Sequence, residues 1–337
     1  MSYVNPLQVA VWEQQFIEEQ KAVTSVFLGQ NMEGYNNTVS AALDIRPFEA
    51  ANKNLRVLNV GDFVAIPEGR HETFEFQDIQ GKKRIANAQR QILPIIYDKF
   101  QDRDKGEIEL DPEIIRQAAI KASKAKEIAI AKAITDSVTV VNWDNTTSTL
   151  TLDQDGGTII NNTAGAFNQA AARKIKSALI KSELIGAMSA NSQVELFITQ
   201  DEMEDLNAQN DLKSVITVRP GEEKWFSFPM VEGMLIKETA GGISKPILEE
   251  VTAGNPPTTK RKCLALAPRT IYYEESEPII THLTSEQMRQ VYTDGSLTSS
   301  GAAGNFIDSG AWVFYFKIKV VRQLGKGVIE IDTTPKV

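Results

Sequence analysis

The spacing of apolar residues changes along the chain, and each change marks an element. Near the C-terminal end the sequence reads AWVFYFKIKVVRQLGKGVIEIDTT, residues 311–334. Trp312, Phe314, Phe316, Ile318 and Val320 fall on one face at period two, and Val313, Tyr315, Lys317, Lys319 and Val321 on the other. That alternation predicts a long strand, and Gly325-Lys326-Gly327 predicts a turn into a second short one, Val328 to Ile331. Residues 111–135, DPEIIRQAAIKASKAKEIAIAKAIT, instead carry a helical period. Ile115, Ala118, Ala122, Ala125, Ala129 and Ala133 form a narrow stripe of small residues that lets a helix lie close on a sheet. Asp111 suits the N-cap, Pro112 the first helical position and Glu113 the positive end of the dipole. The remaining faces carry Arg116, Lys121, Lys124, Lys126 and Lys132 against only Glu113 and Glu127. Such a face is either solvated or turned toward a polyanion.

Residues 6–28 predict an amphipathic helix with Leu7, Val11, Trp12, Phe16, Val23 and Phe27 near one face, either a first core helix or an arm. Strands are expected from Leu55 to Val60, from Asp62 to Ile66 and from Ile92 to Tyr97. Between Pro67 and Gln91 apolar residues are sparse. Phe74 and Phe76 alternate with acids, and Gly81-Lys82-Lys83-Arg84 reads as the exposed far part of a ribbon. The stretch exceeds the roughly 12–15 residues usual for a structureless loop. A two-stranded ribbon with so little core is marginal alone and gains stability by lying on another surface. A strand pair, Val138–Val141 and Thr149–Leu152, is expected around Asp144-Asn145. A helix over 166–185, a strand from Val194 to Thr199 and a helix starting at Gln200 follow. Pro229–Lys237 and Lys262–Ala267 read as strands and 270–283 as one extended segment. A short helix begins at Ser285, and a Gly/Ser/Ala-rich loop covers 293–310. Without regular βαβ alternation, the class is α+β.

Composition removes several functions from consideration. The chain has 337 residues, 42% hydrophobic and 24% charged, which is ordinary for a globular protein. A net charge of −8 argues against a protein that coats nucleic acid, while leaving room for one basic face. The single cysteine, Cys263, rules out an internal disulfide and suits a reducing compartment. No apolar run reaches the roughly 20 residues of a membrane helix, so no membrane partner is expected. The first residues also lack the pattern of a secretory signal. His71 and His282 have no neighbouring ligands, so no metal is expected. The glycine pairs lack the surroundings of a phosphate loop, and no Gly-x-Ser-x-Gly elbow occurs. Nothing pushes apart the pKa values of the acid pairs Glu249-Glu250 and Glu274-Glu275. Neither a catalytic residue nor a cofactor is expected.

Four stretches in this order carry a resemblance: DPEIIRQAAIKASKAKEIAIAKAIT, VELFITQDEMEDL, CLALAPRTIYYEESEPI and FKIKVVRQLGKGVIEIDTT. Together they resemble the major capsid proteins of tailed bacteriophages, the HK-ninety-seven-type fold that encapsulin shells share. The resemblance implies an N-terminal arm (1–50) and an extended loop ribbon with flanking strands (51–98). It implies a peripheral domain (99–137 and 263–326) with a spine helix at 111–135, and an axial domain (138–262 and 327–337). The implied function is that of a structural shell subunit in the virion, assembled in the bacterial host cytoplasm. Its hexamers and pentamers would enclose double-stranded DNA.

The resemblance also assigns roles. Phe74, Phe76, Lys82, Lys83 and Arg84 would lie over an adjacent subunit, with Lys82 or Lys83 as candidates for the lysine–asparagine cross-link some relatives form. Trp12, Phe16 and Phe27 would make arm contacts to a neighbour. Arg116, Lys121, Lys124, Lys126 and Lys132 would face packaged DNA through weak, salt-dependent contacts. The implied partners are other copies of the chain, a separate scaffolding protein, a portal and decoration proteins. Because only about fifty residues precede the first strands, no large cleaved N-terminal domain is expected. Alternatives are an encapsulin-like compartment, a tail or baseplate component, and a cytosolic enzyme with a site built from scattered carboxylates.

Overall fold

The computed structural model describes residues 6–22, 27–28, 30–32, 35–37, 39–59, 80–98, 110–142, 144–160, 167–181, 194–208, 217–218, 229–239, 249–252, 258–283 and 309–333. Four helices are described: α1 (Pro6–Ala22), α2 (Leu110–Thr135), α3 (Gln169–Lys181) and α4 (Gln200–Ala208). The small-residue stripe of α2 does what its pattern predicts. Ile115, Ala118 and Ala122 are buried against Trp312, Phe314, Phe316 and Ile318 of the long C-terminal strand. Farther along, Ile130, Ala131 and Ile134 enter a second core with Phe197, Leu264, Leu266 and Val328. One helix therefore joins two cores.

The C-terminal strand, Ser309–Arg322, is the centre of a five-stranded sheet. Gln89–Asp98 pairs antiparallel along one side, from Ser309↔Asp98 to Ile318↔Gln89. Ile279–Leu283 and then Ile271–Glu275 take the other side, and Leu43–Pro47 adds in parallel to Ile271–Glu275. The segment 270–283, expected as one extended piece, is thus two strands. They break where Pro278 lacks an N–H and Ser276 N–H bonds to Lys317 O at 2.9 Å.

A second sheet runs in the order Thr217–Val218, Pro229–Val231, Met234–Thr239, Glu195–Thr199, Thr258–Leu266, Val328–Thr333, Thr158–Ile160. Glu249–Thr252 also pairs with Thr258–Leu266. Helices α3 and α4 pack on one face of this sheet through Ala171, Ala172, Ile175, Leu179 and Leu206. The end of α2 and Phe27 pack on the other. The strand expected over Pro229–Lys237 is a hairpin, turning at Glu232 (φ 50°) and Gly233 (φ 82°). Two successive positive φ values suit a tight hairpin turn, and glutamate at the first position hid it from the sequence reading. Helix α3 starts later than expected, after Asn168, whose Oδ1 accepts the Ala171 N–H at 2.9 Å.

The third sheet orders Lys53–Asn59, Gln80–Ala86, Val138–Asn142 and Thr147–Leu150. Its last strand ends two residues earlier than expected, because Thr151 and Leu152 begin a turn closed by Asp155 N–H to Thr151 O and Gly157 N–H to Leu152 O. Gln80–Ala86 lies between two partner strands, which corrects the expectation that Gly81–Arg84 forms an exposed ribbon tip. The expected strand from Asp62 to Ile66, the ribbon residues 67–79, the helix from Ser285 and the loop residues 293–308 lie outside the described residues.

Candidate interaction surfaces and the charge clusters behind them

The five cations expected on one face of α2 separate into two groups. Lys126 is buried. Its ammonium donates to Gln20 Oε1 at 2.9 Å, pairs with Glu275, and lies 5.2 Å from the ring centre of Phe316. A DNA-facing role for Lys126 is therefore corrected: Gln20 of α1 covers its ammonium, and Glu275 of the strand Ile271–Glu275 supplies the counter-charge. Arg116, Lys121, Lys124 and Lys132 are exposed. Arg116 is held by Glu113 at 2.9 Å. Hydrogen bonds from Arg116 and then Gln117 lower the Glu113 carboxyl to about 2. Lys121, Lys124 and Lys132 remain as the bare charges of this face among the described residues.

The three arm aromatics pack within their own chain. Trp12 meets Trp312 edge-on with centroids 4.4 Å apart, and Phe16, fully buried, stacks on Phe314 at 5.5 Å. Phe27 stacks on Phe197 at 4.7 Å, and its N–H donates to Glu127 Oε1 at 3.1 Å. In place of the expected contacts to a neighbour, these rings complete the cores under α2. The physical reason is the exposed edge that Trp312 and Phe314 would otherwise present. What α1 turns outward is different: Val11 is 61% exposed.

Of the expected loop residues, Phe74 and Phe76 lie outside the described residues. Lys82 and Lys83 sit on the central strand of the third sheet, with Lys83 half-buried. Arg84 is buried, not exposed. Its guanidinium is forked onto Asp155, Nη2 to Oδ1 at 2.6 Å and Nη1 to Oδ2 at 2.8 Å, and Nη1 also reaches Arg322 O at 2.7 Å. A two-point grip of this kind outweighs the strand's polar appearance and draws it inward.

Sequence reasoning missed the buried charge clusters. Lys319 and Glu274 are both fully buried and 2.8 Å apart, with Lys319 also donating to the carbonyls of Glu49 and Ala51. Burial alone would raise the Glu274 carboxyl. Hydrogen bonds from Lys319, Tyr272 and the Glu49 N–H outweigh it and hold the group below the usual 4.5. Lys237 pairs with Glu195 at 3.1 Å, and Glu195 accepts from Ser40 Oγ and from the Ala41 N–H. Each cluster fastens part of the 40–51 segment to a sheet. The ion pairs span 42 and 45 residues and the bonds to the 40–51 segment as many as 270, so no local spacing signals them.

No protein-family model matches the chain, and no curated protein matches it. Solved structures do. The chain is similar to the capsid asymmetric unit of cyanophage Pam1, with a TM-score of 0.58 and 11% identity over 99% of this chain and 94% of that one. It is similar to the capsid of Ralstonia phage GP4 (TM-score 0.57, 7% identity, 88% of each chain). The head structure of Helicobacter pylori bacteriophage KHP40 matches with a TM-score of 0.56 and 9% identity over 88% of this chain and 87% of that one. At such low identity the likeness lies in the path of the backbone, and that path is the fold of the tailed-phage capsid proteins, the HK-ninety-seven type.

Proposed function

We propose that this chain is a structural shell subunit, forming the hexamers and pentamers of an icosahedral capsid around double-stranded DNA. The observation that carries the reading is the match to a chain of the Pam1 capsid asymmetric unit over nearly the full length of both chains. The charge distribution supports a structural role. Among the buried carboxylates, Asp155 faces two arginines and Glu195, Glu274 and Glu330 each face a lysine, in separate places rather than converging on a pocket. The chain is then a virion component assembled in the bacterial cytoplasm, with a separate scaffolding protein, a portal and decoration proteins as partners. Lys121, Lys124 and Lys132 are the spine-helix residues left to meet packaged DNA. The outer face of α1 and the segment between Asn59 and Gln80 are the regions left to meet neighbours.

The test is electron microscopy of the purified protein after size-exclusion chromatography, alone and co-expressed with the genes beside it. Closed shells or capsomer rings are expected, and their nucleic acid content separates a genome container from a cargo compartment. A protein that stays monomeric under both conditions overturns the reading. The loop has its own test. Asn59 and Gln80 face each other across the strand pair, so a two-residue Asn-Gly turn can replace residues 60–79 without disturbing it. The expected product is a folded subunit that makes no stable shell.

A further inference from the structure

Helix α3 divides its cations between two sides. Arg173 and Lys176 turn to Glu232, at 3.0 and 3.7 Å. Lys174 and Lys181, seven residues apart, turn the other way and line a cleft of about 720 Å³ with Ser177 between them. The opposite wall is the edge strand Thr158–Ile160, and Lys326 closes one end. Among the described residues no carboxylate lines the cleft, and the three lysines form no ion pair. The acids just before Gly156 are already engaged: Asp153 accepts from Thr151, and Asp155 is held by Arg84 and Arg322. In a chain of net charge −8, three ammoniums converging on one cleft need a reason.

Lys326 is also held in place. It sits in a single 3-10 turn between Gly325 and Gly327, both buried, and its stem crosses Gly156. A Cβ on Gly156, whose φ is +89°, would stand 2.9 Å from Lys326 Cγ. The turn and the bare glycine together direct the ammonium to the cleft.

We propose that this cleft binds a phosphate-bearing polyanion, a short stretch of nucleic-acid backbone. The described lining of the cleft holds no arginine, so it offers no planar fork of the kind Arg84 closes on Asp155. The cleft offers point charges and the hydroxyls of Ser177 and Thr158, which suit tetrahedral phosphate oxygens in any rotation. Size favours a chain over a single ion. Lys174 and Lys181 stand about 10 Å apart along the helix, a distance that covers about three phosphates at about 3.4 Å of axis per phosphate on one strand. The cleft lies on the α3 side of the second sheet, opposite the end of α2, so it is a different surface from the spine-helix lysines.

The test uses the full chain as unassembled subunits, so its result is separate from the shell reading. Binding of a fluorescent 20-nucleotide oligothymidylate is followed by anisotropy across a salt series, with inorganic polyphosphate and polyglutamate as competitors. The wild type is expected to bind at low salt. K174Q/K181Q/K326Q should bind at least tenfold more weakly, with a log–log salt slope shallower by about 2, from three contacts at about 0.7 each. Displacement by polyphosphate and not by polyglutamate assigns the site to phosphate in general, and resistance to both assigns it to nucleic acid. K174E alone gives the same direction of effect should the triple variant fold poorly by circular dichroism. No binding by the wild type, a variant that binds like the wild type, or equal displacement by polyglutamate overturns the proposal.

Discussion

Arg322 donates its Nε–H to Asp155 Oδ2 at 2.8 Å across 167 residues of sequence, and neither side chain reaches solvent. The same guanidinium holds the carbonyls of Ile134 at 2.6 Å and Asp136 at 2.9 Å, where α2 ends. Arg84 approaches the carboxylate from the third sheet. One aspartate therefore fixes the end of the spine helix, the end of the long C-terminal strand and a strand of the third sheet. The two guanidiniums exceed the single carboxylate by one charge, and carbonyls at the helix C-terminus offset part of the excess. Asp155→Asn leaves both arginines buried with no counter-charge. It should lower the unfolding free energy by about 3–5 kcal/mol, measured by urea denaturation.

The turn that follows Arg322 depends on the same aspartate. A Cβ on Gly325 would lie 2.2 Å from Asp155 O and 2.5 Å from its Oδ2, closer than non-bonded atoms approach. Gly325→Ala should therefore act by moving Asp155 off its arginines. Its effect should overlap with that of Asp155→Asn, leaving a coupling of at least about 1 kcal/mol in a double-mutant cycle. Additive losses would show that the glycine acts independently.

The buried Glu274–Lys319 pair gives the protein an acid-sensitive element. The Glu274 carboxyl is held below 4.5 in the folded chain. Its contribution is complete above the unfolded value and is lost as pH falls through the lower folded value. Glu274→Gln should cost about 3–5 kcal/mol near neutral pH, because Lys319 is left charged and buried. The gap between wild type and variant should narrow as the pH falls below about 4.5. Urea titrations near neutrality and near pH 3 measure both. A gap unchanged by pH would show that Glu274 does not titrate below its usual value.

Much of the fold was legible because its two main elements are periodic over long runs. Trp312 to Val320 alternates at period two, and Ile115 to Ala133 repeats at the helical period; both stripes are buried against each other's cores. Turns inside apolar runs were missed, as at Glu232-Gly233, and so was buried charge. Arg84, Lys126 and Lys319 look like surface residues in sequence, and each is buried because an acid reaches it from elsewhere in the chain. The basic face of α2 was legible in number, and the tertiary contacts of Lys126 to Gln20, Glu275 and Phe316 decided which lysine was internal.

That decision can be tested by making one substitution at three points on the same helix. Lys121 and Lys124 are exposed with no ion pair among the described residues, so Lys→Gln there should change stability by less than about 0.5 kcal/mol. Lys126→Gln removes the counter-charge of Glu275, the bond to Gln20 and the contact over Phe316. Since Glu275 retains some access to water, the loss should be about 1–3 kcal/mol rather than that of a sealed pair. Thermal melts of the three single variants measure the difference. Helix propensity cannot account for it, because lysine and glutamine are nearly equal helix formers. A Lys126 variant as stable as the other two would mean that α1 does not rest on the spine helix, and the chain's first helix would again be an arm free to reach a neighbour.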